Sequence, residues 1–186
     1  MSEVCVQPHR HRRLLDVPHG AKLRNLAGES LSYLQTNVTD SLSSKGATTL
    51  KPVIQLETTG CGIASVANIV GKSYSEMKLI ANRLGIYACD ESLWSDTRYV
   101  RKLLSHEGIA TAEDETPFVS WTELPDLALL AIKHHREKGK DFWHWVVFRR
   151  LEGQAVVLDS ASYLPSNLRT DFEAMQPKWF FEVQAP

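Results

Sequence analysis

A run of small, mostly apolar residues from Cys61 to Val70 is the feature that most constrains how this chain can fold. On a helix these residues would place apolar side chains on almost every side, so no face would be left for water. Gly71 follows the last apolar residue, as is typical of the end of a helix. We therefore expect a buried helix here, with its first residue, Cys61, inside the folded domain.

Composition limits the class of protein. The chain has 186 residues, of which 43% are hydrophobic and 23% charged, enough for one domain with its own core. The formal net charge of −1 gives no reason to expect nucleic acid as a partner. No apolar run is long enough for a membrane span, and the N-terminus lacks the apolar core of a signal peptide. With only three cysteines, we expect a cytoplasmic protein without a disulfide framework.

Charge and composition divide the chain at about residue 50. Residues 1–24 carry five basic and two acidic side chains, and a polar stretch follows. We interpret residues 1–49 as a basic and polar, partly flexible extension and residues 50–186 as the folded domain. Two hypotheses for the extension are an inhibitory prosegment and a segment that docks a partner. It contains residues of metal-ligating type, but their irregular spacing predicts no metal site and no cofactor (Cys5, His9, His11, His19).

Hydrophobic periodicity predicts helices first and strands afterwards. Residues 52–55 indicate a short strand, and further helices are expected from Ser75, from Ser95 or Asp96, and from Pro125 through Leu127–Ile132 to Lys138. The period then changes to two, which predicts strands over Trp143–Arg150, Gln154–Asp159 and Trp179–Val183. The expected class is α+β, with an N-terminal helical part that carries Cys61 at a buried helix N-terminus and packs on a C-terminal antiparallel sheet.

Cys61 is the first candidate for catalysis. A helix N-terminus offers unpaired backbone N–H groups and a positive dipole end, which favour a thiolate over a thiol. Gly60 and Gly62 on either side would leave space for a substrate backbone to approach. Gln55, six residues upstream, could supply an amide N–H that joins the Cys61 backbone N–H in binding an oxyanion.

His144 and Asp159 are brought together by a predicted hairpin. If Glu152 and Gly153 form a two-residue turn, Asp159 pairs with Val146, and His144 becomes its diagonal neighbour on the same face of the sheet. Such neighbours are within reach of an imidazole–carboxylate hydrogen bond. A carboxylate that orients an imidazole is what a cysteine nucleophile requires.

These residues resemble the active-site region of papain-like cysteine peptidases. The segment Gln55-Leu-Glu-Thr-Thr-Gly-Cys61-Gly-Ile-Ala and the later His144-Trp-Val-Val and Val157-Leu-Asp159 are most similar to the bacteriocin-processing branch, which cleaves after double-glycine leader peptides. The resemblance implies Cys61 as nucleophile, His144 as base, Asp159 as the residue that orients it, and Gln55 as oxyanion donor. The family usually has proline after the aspartate, where this chain has Ser160.

We therefore expect a thiol hydrolase that acts on a peptide or protein substrate. The same residues would serve an acyltransferase, a transglutaminase-like enzyme or a deamidase, because these differ only in what attacks the thioester. A peptide-binding module whose chemistry has lapsed is the non-enzymatic alternative.

Overall fold

The computed structural model describes residues 50–184, and the predicted extension over residues 1–49 lies outside them. In this range three α-helices precede a sheet, so the class is mixed α+β. Ser73 caps the second helix with a reciprocal pair of hydrogen bonds to Glu76, which places its start one residue before the predicted Ser75. The helices are α1 (Cys61–Val70), α2 (Tyr74–Arg83) and α3 (Arg98–His106), with short 3₁₀ helices at Glu91–Ser95 and Phe172–Ala174. None of the helices in residues 50–184 has the length and apolar character needed to cross a membrane.

Within residues 50–184 the sheet has six strands in the order β1-β6-β2-β3-β4-β5, and every pair of neighbours is antiparallel. Residues 52–55, expected as a strand, belong to none of them, although the Gln55 backbone N–H donates to the carbonyl of Ser160. The strands are β1 (Thr116–Pro117), β2 (Leu127–Glu137), β3 (Lys140–Leu151), β4 (Gln154–Asp159), β5 (Leu168–Arg169) and β6 (Pro177–Glu182).

The fourth helix predicted from Pro125 is wrong, because Leu127–Glu137 is strand β2. β2 lies between β6 and β3, and both of its faces are covered. Leu129 and Ala131 pack in the core shared with the helices, whereas Leu130 and Ile132 pack in a second core on the opposite face. A strand buried on both faces shows no alternation of apolar and polar residues, so its sequence resembles that of a buried helix.

Helix α1 is buried, as predicted. The side chains of Ile63, Ala64, Val66 and Ala67 have no exposed surface. Ser65 is the polar exception, and its hydroxyl donates to the carbonyl of Trp145 on β3 at 3.2 Å. Trp145 precedes Val146, which pairs with Asp159, the last residue of β4. The bond therefore holds α1 against β3 next to the end of the β3–β4 pairing.

The space next to Gly60 and Gly62, on either side of Cys61, is filled by other side chains of the protein. A Cβ atom on Gly62 would lie 2.0 Å from the hydroxyl oxygen of Tyr99 and 2.6 Å from a methyl carbon of Val100, both on α3. A Cβ atom on Gly60 would lie 2.1 Å from the hydroxyl oxygen of Tyr74 on α2. The space that the sequence suggested for a substrate backbone is therefore occupied by two tyrosines that pack α1 against its neighbours.

We predict that Gly62→Ala destabilises the domain by about 3 kcal/mol or prevents folding, because the new methyl group overlaps Tyr99 and Val100 in a closed core. Gly153→Ala is the control. Its Cβ meets nothing within 4 Å, although its φ of 79° is strained for alanine, so it should cost only about 1 kcal/mol. Urea unfolding of both variants measures the difference, and equal losses would contradict the packing described for Gly62.

Candidate active site

The β3–β4 hairpin has the predicted register. Leu151 pairs with Gln154 across the turn and Val146 pairs with Asp159. His144 and Asp159 are therefore diagonal neighbours, and His144 Nε2 lies 2.7 Å from Asp159 Oδ1. The imidazole–carboxylate hydrogen bond expected from the sequence is present.

Asp159 is completely buried, and its carboxylate has three hydrogen-bond donors. Oδ1 accepts from His144 and from the backbone N–H of Ala161 at 3.1 Å, and Oδ2 accepts from Arg169 Nη1 at 2.9 Å. Burial raises the pKa of Asp159, but the hydrogen bonds and charge of His144, with smaller contributions from Ala161 and Arg169, outweigh it and bring the pKa to about 2. The carboxylate is therefore ionised at any physiological pH.

Cys61 is the first residue of α1 and is 2% exposed. Gly60, at the N-cap position, has no side chain to cap the helix. The backbone N–H groups of the first turn are therefore left for the sulfur of Cys61. Burial would raise the pKa of the thiol. The hydrogen bond and charge of His144, together with backbone hydrogen bonds from Trp145 and Gly62, outweigh burial and lower the pKa below its ordinary value.

His144 lies between the thiol and the carboxylate. Burial would lower the pKa of the imidazole, but its hydrogen bonds to Asp159 and to Cys61 raise it to about 10. With the Cys61 pKa lowered and the His144 pKa raised, the favoured state is a thiolate beside an imidazolium. Of the candidates from sequence, Cys61, His144 and Asp159 thus form one chain of interacting side chains, with a hydrogen bond between His144 and Asp159 and with mutually shifted pKa values of Cys61 and His144.

Gln55 lies next to this chain and is held by Ser160. The Ser160 hydroxyl donates to Gln55 Oε1 at 2.9 Å. The side-chain nitrogen of Gln55 donates to the carbonyls of Glu57 and Thr58, each at 3.0 Å. The amide therefore lies against the turn that leads into Cys61, and its N–H groups are occupied by that turn. A role in binding an oxyanion requires one of these two bonds to be exchanged for the substrate oxygen.

A groove of about 1130 Å³ opens over Cys61 and His144. One wall is aromatic, since His135 stacks on Phe142 at a ring separation of 5.4 Å and Trp94 meets Phe142 edge-on at 6.2 Å. Three lysines from β2, β3 and the turn between them also line it (Lys133, Lys138, Lys140). Gln55 and Asp159 are not lining residues, so only the first two members of the chain face the groove.

Two residues of the site were missed in the sequence. Arg169 is buried against Asp159, but it comes from a two-residue strand after a loop, where no periodicity marks it. Ser160 stands where the family usually has proline, and the sequence predicts no role for it. A signal for its role was present, because a hydroxyl next to the orienting aspartate can bond to a neighbouring amide.

Histidines on β2 have local roles. His134, predicted on a helix, is on the strand, and its Nε2 lies 3.1 Å from Asp141 Oδ1. Within residues 50–184, no cluster of three or more His, Cys, Asp or Glu side chains could hold a metal ion. The ligand-type residues at positions 5, 9, 11 and 19 lie outside the described residues.

Comparison with protein-family models, curated proteins and solved structures gives no match for this chain. The resemblance to papain-like peptidases therefore rests on the motifs of the sequence, and the geometry of the site is a separate observation on the same residues.

The lowered pKa of Asp159 predicts acid-sensitive stability. A carboxyl whose pKa is about 2 in the folded state and 3.8 when unfolded contributes stability above pH 3.8, and this is lost as the pH falls toward 2. The loss is about 2 kcal/mol. Between about pH 5 and pH 2, the free energy of unfolding measured in urea should fall by about 2 kcal/mol less in Asp159→Asn than in the wild type. The control, Asp126→Asn, removes a carboxylate that is 78% exposed and should leave the wild-type drop unchanged; identical drops in all three proteins would contradict the pairing.

Proposed function

We propose that this chain is a papain-like thiol hydrolase that cleaves a peptide or amide bond. Cys61 is the nucleophile, His144 the general acid and base, and Asp159 the residue that orients His144. The observation that carries the proposal is the buried series Cys61–His144–Asp159, with a 2.7 Å hydrogen bond between the last two and with Cys61 and His144 lining a large groove. A nucleophile, a base and a group that orients the base constitute the minimal set for covalent acyl transfer.

In the first half of the reaction the Cys61 thiolate attacks the carbonyl carbon of the substrate. A C–S bond forms, and the carbonyl oxygen becomes an oxyanion that accepts from the Cys61 backbone N–H and from the Gln55 amide, which gives up one of its bonds to the carbonyls of Glu57 and Thr58. The imidazolium of His144 then gives its proton to the leaving nitrogen, and the C–N bond breaks. The products of this half are a free amine, a thioester on Cys61 and a neutral His144.

In the second half neutral His144 removes a proton from water, and the resulting hydroxide attacks the thioester carbon. The C–S bond breaks, the carboxylic acid leaves, and the thiolate–imidazolium pair is restored. Asp159 remains ionised throughout, holding the imidazole in one orientation and stabilising its charge.

The groove supports a peptide or protein as substrate. Its volume of about 1130 Å³ exceeds that of a pocket for one small metabolite. The aromatic wall of His135, Phe142 and Trp94 offers apolar surface along the groove, and Cys61 with His144 lies among its lining residues. An extended chain in the groove would present a backbone carbonyl to the thiolate.

The first test of this proposal is the reactivity of Cys61. Reaction with iodoacetamide, followed as the mass gain of the peptide that contains Cys61, should show a midpoint below the ordinary pKa of a thiol. In His144→Ala the imidazolium is absent and burial raises the pKa of the thiol, so the rate at pH 6 should fall at least about tenfold. His106→Ala is a matched control that removes a histidine at the end of α3. Equal profiles in the wild type and His144→Ala would exclude the proposed pair.

The second test is acylation by a peptidyl 4-nitrophenyl ester, measured by nitrophenolate release and by the mass of the acyl-enzyme on Cys61. Gln55→Ala should lower the acylation rate by about 10²-fold through loss of an oxyanion donor. Ser160→Ala leaves the amide in place but frees its oxygen, so a loss of about tenfold is expected. Ser166→Ala, which removes a hydroxyl in the loop after β4, is the control.

The same acyl-enzyme separates the proposal from its alternatives. Release by water, with added amines giving no product, is expected for a hydrolase. Preferential transfer to amines would instead indicate an acyltransferase. Tight binding of peptides without acylation, unchanged by Cys61→Ala, would indicate a binding module.

A further inference from the structure

Asp159 has a cation on each of the two neighbouring strands. On β3, His144 is two residues before Val146, the partner of Asp159. On β5, Arg169 pairs with Val157, which is two residues before Asp159 on the same face. His144 and Arg169 are therefore diagonal neighbours of one carboxylate from opposite sides, and they bond to its two different oxygens at 2.7 and 2.9 Å.

The guanidinium of Arg169 is itself anchored. Its Nε and Nη2 donate to the two oxygens of Asp171 at 2.9 and 2.6 Å, which leaves Nη1 directed at Asp159. The side chain of Arg169 is only 8% exposed, whereas that of Asp171 is 58% exposed. Arg169 thus connects a buried carboxylate to one at the surface through a planar, fixed group.

The loop between Asp159 and Arg169 is closed by Asn167. The side-chain nitrogen of Asn167 donates to the backbone carbonyls of Asp159 and Ala161 at 2.7 and 2.8 Å. The backbone carbonyl of Asn167 accepts from the backbone N–H of Asp159 at 2.9 Å. These bonds fix the backbone at the end of β4, while Arg169 fixes the carboxylate that projects from it.

We propose that Arg169 is a positioning residue of the active site, which holds the Asp159 carboxylate in the orientation that His144 requires. This inference rests on the proposed function. Arg169 acts through Asp159 and His144 and is not a lining residue of the groove. Without it, Asp159 Oδ2 would be a buried anionic oxygen with no donor, and the carboxylate would rotate or take up a proton to satisfy it.

The loss of Arg169 reaches Cys61 through Asp159 and His144. In the described part of the chain, His144 and Arg169 are the ionisable side chains that bond to the Asp159 carboxylate, whereas Cys61 interacts electrostatically with His144 and with Tyr99. Removing Arg169 leaves Asp159 Oδ2 without a donor, so the carboxylate rotates or takes up a proton and no longer orients and stabilises the His144 imidazolium. The thiolate then loses its stabilising partner, so the thiol should ionise at a higher pH.

The iodoacetamide profile of Cys61 tests this inference. In Arg169→Gln the midpoint should move up by about one pH unit. Arg169→Lys keeps the charge but cannot bond both carboxylates with a planar fork, so a smaller upward shift is expected. Arg150→Gln is the control, because Arg150 bonds Asp126 and the carbonyls of Trp121 and Leu124, none of which belongs to the site.

A wild-type midpoint in a folded Arg169→Gln, or in Arg169→Lys if the glutamine variant does not fold, would overturn the positioning role. So would an equal shift in Arg150→Gln, since the effect would then be one of general stability. The wild-type profile distinguishes the two proposals: without a lowered midpoint the thiolate–imidazolium pair itself is absent and the proposed function fails. A lowered midpoint that Arg169 variants leave in place removes only this inference.

Discussion

The physical constraint on which the site depends is the cost of burying ionised groups. Asp159 has no exposed surface, and Cys61 has almost none. An isolated charge in such a place would be neutralised by a proton. Here groups of opposite charge alternate along one series of side chains, from Cys61, whose pKa is lowered, through His144 and Asp159 to the guanidinium of Arg169. Each charge is stabilised by the opposite charge beside it. The ionisation of these groups therefore depends on their positions.

The register of the sheet sets the positions of the charged groups. A two-residue turn with positive φ at Glu152 and Gly153 fixes the pairing of β3 with β4, and a shift of one residue would move Asp159 to the other face. The pairing of β4 with β5 sets the second cation in the same way. Helix α1 then brings the sulfur to the histidine, anchored to β3 by Ser65 and packed against two tyrosines.

Local chemistry explains which parts could be predicted from the sequence. The all-round apolar pattern of α1 and the Glu152-Gly153 turn are local signals, and they lead directly to the helix, the hairpin and the His144–Asp159 bond. The sequence of β2 wrongly predicts a helix, because leucine and alanine favour helix and because burial on both faces removes the alternation of apolar and polar residues. The tyrosines that fill the space beside Gly60 and Gly62 depend on how α2 and α3 pack, which is tertiary information that no local pattern carries.

The end of β4 shows why single-residue departures from a family pattern need structural interpretation. Asp159, Ser160 and Ala161 are consecutive, and each contributes a different bond: the carboxylate to His144, the hydroxyl to Gln55, and the backbone N–H back to Asp159. A proline at the second position has no hydroxyl to donate to Gln55. With serine there, the segment that orients the base also holds the proposed oxyanion donor. A change in the backbone at this strand end would therefore affect both halves of the site together.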